Sequence, residues 1–172
     1  MSLLEEILAN KSLKAKQQTE TLATWLQSEL GDVSILIQVA ALQKDITKAN
    51  CIEALENCTK THPEKCTESA LEFVIEQLSC KTPRVKWESA RVIGNCIHLY
   101  PHLAPKAMMA LLQNAKHEGT VVRWSAAFAL GEIIKLKLKL NTQLLEWVEE
   151  LVMSEEKNSI KKIYQTAMKK AK

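Results

Sequence analysis

The side chains with the most chemical potential here are cysteines, histidines and tryptophans, and their spacing decides what they can do. Cys51, Cys58, His62 and Cys66 are ligand types that zinc accepts. Cys51 and Cys58, however, lie seven residues apart on one helical face, where a free thiol packs as a small hydrophobe. Pro63 then turns the chain, and zinc motifs favour tighter paired spacings. His98 and His102 have HxxxH spacing, but Pro101 between them breaks the helix that would align the rings. No metal is expected. Neither GxSxG, a P-loop, GxGxxG nor HExxH occurs in the sequence, so no catalytic residue and no cofactor is expected either. One cation beside an aromatic ring remains: Arg123-Trp124, in the stretch "VRWSAAFALGEII" (122–134). Such a pair can serve an anion or a stacked base, or it can be part of a scaffold.

The elements that carry that pair decide between these roles. The stretch "VKWESARVIGNCI" (85–97) repeats it 37 residues earlier without a gap. Val85, Lys86, Trp87, Ala90, Ile93, Gly94 and Ile97 match Val122, Arg123, Trp124, Ala127, Leu130, Gly131 and Ile134. A third copy, "TKANCIEALENC" (47–58), lies a further 38 residues upstream and carries Pro63 onto Pro101. Fainter copies begin near Leu13-Lys14 and Ile160-Lys161. A fixed period of this size marks stacked supersecondary units. Each period holds two helical patterns. The first helices are read over 12–29, 46–61, 83–99 and 120–138, and the second over 32–43, 65–79, 102–116 and 141–153. A lone closing helix is read over 157–171, with Ile160, Ile163, Tyr164, Ala167, Met168 and Ala171 on one face and lysines on the rest.

The punctuation agrees with this reading. Thr82-Pro83 places Pro in a first helical turn, and Asn141 or Thr142 is read as an N-cap. Gly94 and Gly131 fall inside helices at one repeat position, which points to close approach of a neighbouring helix backbone. Trp87 and Trp124, also equivalent, are read as structural wedges, and Arg91 is placed to form a cation–π pair with Trp87 if that site is exposed.

The pattern Val-(Lys/Arg)-Trp-x-(Ser/Ala)-Ala-x-x-(Ile/Leu)-Gly resembles the first-helix signature of HEAT repeats. The resemblance is specific over 83–134 and weaker towards both ends. It implies one all-α domain over 1–172, a right-handed α–α superhelix of about four pairs (12–43, 46–80, 83–116 and 120–153) with a capping helix at 157–171. HEAT repeats often carry an Asp about five residues before the Val. Cys80 and His117 stand there, so the Asp–Arg row is expected to be incomplete.

Composition narrows the function. Apolar residues make up 47% and the net charge is +3, an ordinary globular balance short of a dedicated nucleic-acid binder. The 5 cysteines, odd in number and without a CxxC pair, read as free thiols in a reducing compartment. "MSLLEEILANK" lacks a basic leader region and carries glutamates among its leucines, so neither a signal peptide nor a membrane span is expected, and the cytoplasm is. The expected function is a non-catalytic protein–protein interaction scaffold, monomeric or weakly oligomeric, using the concave surface that second helices form in HEAT-like solenoids. Lys106, Met109, Gln113, Trp147 and Glu150 are the candidate contacts for a protein partner. The alternative is a nucleic-acid binder related to the HEAT-like alkylpurine DNA glycosylases. It would use a basic strip formed by Lys48, Lys86, Arg123 and Lys161, one per repeat.

Overall fold

Short polar side chains start several of the helices by satisfying backbone N–H groups that have no partner within the helix. Ser2 and Glu5 form a reciprocal capping box, Asp32 accepts from the N–H groups of Ser34 and Ile35, and Thr67 accepts from that of Ala70. The computed structural model describes residues 2–171, and among them there are helices and turns but no strand. In chain order the helices are α1 (Leu3–Ala9), α2 (Ala15–Gln27), α3 (Val33–Ala41), α4 (Asp45–Thr59) and α5 (Glu68–Gln77). They continue as α6 (Pro83–Cys96), α7 (Ala104–Asn114), α8 (Thr120–Lys135), α9 (Asn141–Ser154) and α10 (Asn158–Ala171). The fold is an all-α right-handed solenoid of about four helix pairs with α10 as its closing helix.

Two layers follow from the pairing. The first helices α2, α4, α6 and α8 pack side by side, and α10 joins the row against α8. The second helices lie on one side of that row: α3 packs against α4, α5 against α6, α7 against α8 and α9 against α10. Helix α1, which the repeat period does not announce, packs on α2 in the same way. Equivalent positions line the core in rows. Leu55, Ile93 and Leu130 are fully enclosed, as are Val85, Val122 and Ile160. Cys58 and Cys96 occupy the row continued by Ile133, so these thiols fill core volume. Each such Leu or Ile contributes about 1.5–3 kcal/mol on burial. Burial pushes the Cys51 thiol up to about 12, which keeps it protonated and unreactive.

The interior repeat glycines have a packing cause, but not the one expected. A Cβ on Gly94 would stand 2.2 Å from Cε1 of Phe128, so an aromatic side chain of α8, rather than a helix backbone, occupies that space. At Gly131 the nearest atom is the Cβ of Ala167 on α10, at 3.3 Å. Phe128 is therefore the wedge, and Trp124 is not: its side chain stays 39% exposed and stacks on Phe128, with centroids 6.0 Å apart. Trp87 is half-buried, and its indole N–H donates to Glu88 at 2.7 Å. Arg91 makes ion pairs with Glu56 at 3.0 Å and Glu88 at 3.4 Å in place of the cation–π pair. Asn141 is the first residue of α9 rather than its cap, and its amide donates to the carbonyl of Ile134 at 2.7 Å.

A polar seam runs between α2, α4 and α6 and fixes their register. Asn50 donates to Gln18 at 2.8 Å and accepts from Arg84 at 2.8 Å, while Arg84 also pairs with Glu53. Burial raises the Glu88 carboxyl above its ordinary value, against the opposing pull of the Trp87 N–H and Arg91.

Candidate binding groove on the second-helix face

The second helices present alternating faces. On α7, Ala104, Ala107, Met108 and Leu111 are buried against the first helices, which leaves Met109 57% exposed and Gln113 exposed on the opposite side. On α9, Leu144, Val148 and Leu151 point inward, so Trp147 and Glu150 turn towards α7. A groove of about 450 Å³ opens between the two helices, lined by Met109, Leu112, Gln113, Lys116, Trp147, Glu150, Leu151 and Ser154. Met109, Leu112, Trp147 and Leu151 give it an apolar lining, and Gln113, Lys116, Glu150 and Ser154 a polar one. That is the composition of a site that takes an apolar side chain and orients the backbone carrying it.

The groove brings together Met109, Gln113, Trp147 and Glu150 of the sequence-derived candidates. Lys106 stands one turn before Met109 on α7 but reaches to α5, where it pairs with Glu76 at 3.5 Å. Leu112, Lys116, Leu151 and Ser154 were not anticipated. The signal for them is the spacing 109, 112, 113, 116 and 147, 150, 151, 154, which is one helical stripe on each helix.

The basic row behaves differently. Lys86 donates to the carbonyl of Leu78 at 2.9 Å and to Asn114 Oδ1 at 3.1 Å, holding the C-terminal end of α5 against that of α7. Arg123 donates to the carbonyls of His117 and Glu118 at 3.0 and 2.9 Å, and its Nε and Nη2 bind Glu155 at 2.9 and 3.3 Å. Both are committed to acceptors of the chain itself. Lys48 and Lys161 have no ion-pair partner among the described residues, and they are separated in the row by the two committed members. The acid missing at His117 is supplied one repeat later: Glu155 lies five residues before Ile160, the position where HEAT repeats place Asp. Burial acts to raise the Glu155 carboxyl, but the Arg123 hydrogen bond and charge, with the Lys157 and Glu156 N–H groups, outweigh it and hold the group below its ordinary value. The opening of about 580 Å³ beside this pair mixes Lys116, His117 and Arg123 with Glu118, Glu155 and Glu156 and selects neither charge.

Among the described residues no group of three or more His, Cys, Asp or Glu side chains is arranged to hold a metal ion, and no helix is long and apolar enough to cross a membrane. No protein-family profile matches the sequence, and no curated protein matches it. Solved structures do match. A designed armadillo repeat protein in complex with the peptide (KR)4 aligns with a TM-score of 0.77 at 18% identity, over 98% of this chain and 80% of its own. A computationally designed armadillo repeat protein for modular peptide recognition gives 0.74 at 19% identity, over 97% and 80%. The complex of CpcE and CpcF of phycocyanin lyase from Nostoc gives 0.70 at 16% identity, over 96% and 97%. At these identities the likeness is one of fold, and the chain has the architecture of the HEAT- and armadillo-type α-solenoids.

Proposed function

We propose that the chain is a protein-interaction module whose second-helix face holds an extended segment of a partner protein, without covalent chemistry. The observation that carries this reading is the groove between α7 and α9, where Met109, Leu112, Trp147 and Leu151 are apolar lining beside the polar Gln113, Lys116, Glu150 and Ser154. Rigid helices hold that lining, so little ordering is needed on binding. The designed armadillo structures support the reading, since the same architecture holds or is intended for peptides in them. We read the module as non-catalytic, as monomeric or weakly oligomeric, and as cytoplasmic, in keeping with free thiols at Cys51, Cys58, Cys66, Cys80 and Cys96, of which only Cys80 is not buried.

A random-sequence peptide library displayed against the wild-type protein tests it. Selected peptides are expected to lose at least about tenfold in affinity, about 1.4 kcal/mol, on Trp147→Ala and on Met109→Glu. They should bind Lys162→Ala, on α10, unchanged. Peptides that bind both groove variants as tightly as wild type would show that the site lies elsewhere.

A further inference from the structure

Charge on the second-helix face is banded. On α5, Glu68, Glu72 and Glu76 are exposed at successive turns, and on α9 so are Glu146 and Glu150. Between these bands lies α7, which shows Met109 and Gln113 flanked by Lys106 and Lys116, all exposed. The protein's own side chains already rest on the α5 band: the His102 ring meets Glu68 at 2.6 Å and the Lys106 ammonium meets Glu76 at 3.5 Å. All four of those side chains are more than half exposed, so the pairs are weak and displaceable. On α9, Trp147 and Glu150 stand one helical turn apart and both line the groove, which gives it an aromatic ring and a carboxylate. A Lys or Arg side chain fits that combination, its stem on the ring and its charge on the carboxylate.

Resting on the peptide-binding reading above, the geometry points to a partner segment with a cationic side chain at each end and an uncharged apolar centre. One end lies on the α5 glutamates and the other on Trp147 and Glu150. The centre lies over Met109, where a further cation is repelled by Lys106 and Lys116. Neighbouring packed helices stand about 8–10 Å apart and the groove opens α7 from α9, so the bands are separated by at least roughly 16–20 Å. An extended chain covers about 3.3–3.6 Å per residue, which sets the two cations at least roughly five or six residues apart. A continuous run of cations meets the α7 lysines and is a poorer ligand.

The test uses labelled synthetic heptapeptides on the full chain, read by fluorescence anisotropy at low and high salt. One carries Arg at both ends around Leu and Ala, one carries the two Arg together at the centre, and one carries Glu at both ends. The first is expected to bind about tenfold or more tighter than the others, to weaken with salt, and to weaken with Glu76→Lys or Glu150→Lys. Those substitutions are at exposed positions, and circular dichroism checks that the helices persist. Equal or tighter binding of the centre-Arg or the Glu peptide overturns the charge pattern. It leaves the groove standing if Trp147→Ala still weakens that peptide. Binding insensitive to Trp147→Ala overturns the groove itself. Failure of all three peptides, with display-selected peptides still groove-dependent, overturns the pattern alone.

Discussion

Glu155→Gln separates a structural Arg123 from one available to a ligand. In the native chain the Arg123 guanidinium and Glu155 carboxylate make two contacts at 2.9 and 3.3 Å, with side chains 18% and 6% exposed. Glu155 also accepts from the Lys157 N–H at 2.9 Å. Exposed ion pairs contribute about 0–1 kcal/mol, while removing one partner of a fully buried pair costs about 3–5 kcal/mol. This pair borders an open cleft and falls between the two, so the expected loss is about 2 kcal/mol for Glu155→Gln. Arg123→Met should cost a similar amount, and the double variant less than the sum because the two act as a unit. The carboxyl is held below its ordinary value of 4.5, so its contribution is present above that value and lost as pH falls through the lower, folded-state value. Urea denaturation followed by circular dichroism should therefore show a gap between wild type and Glu155→Gln at neutral pH that closes in acid. A loss below about 0.5 kcal/mol at neutral pH, or a gap that persists in acid, refutes the clamp.

Gly94→Ala drives a Cβ into the Phe128 ring, an overpacking cost of about 1–3 kcal/mol that the gain in helix propensity, up to about 1 kcal/mol, does not cancel. In a Phe128→Leu background the same change should be neutral or stabilising; equal cost in both backgrounds, by denaturant midpoint, would remove Phe128 as the cause. Lys137 follows α8 with φ 53, a left-handed conformation that disfavours a side chain. Lys137→Gly should stabilise by about 1 kcal/mol in the same assay, and no gain would count against that geometry.

How much of this was legible in sequence depends on what each feature answers to. The first helices were readable because Val85, Val122 and their neighbours face the core at every repeat, and burial imposes the same residue type each time. Helix α1 was not, since its Leu4 and Ile7 pack on α2 outside the repeated pattern. Trp124 was misplaced for a related reason. Its repeat equivalence to Trp87 is real, but Phe128, one turn on, takes the space that Gly94 leaves, and the indole is left at the surface. The Arg123–Glu155 pair was missed because the acid was sought before Val122 rather than before Ile160. In the groove, Trp147 and Met109 are reachable from the resemblance, which assigns the concave face to second helices. Leu112 and Leu151 complete the same helical stripes, but whether they are uncovered depends on how far neighbouring second helices open, which is set by packing between repeats. Lys106 shares a helix with Met109, yet its long side chain finds Glu76 first.

Docking of a partner segment in the α7–α9 groove can be followed through backbone amide chemical shifts during titration with a display-selected peptide. Shifts are expected to concentrate in 104–116 and 141–154, with the Trp147 indole N–H moving most, while α2, α4 and the outer face of α10 stay still. Shifts centred on α8 and α10, or spread evenly over the chain, would contradict it.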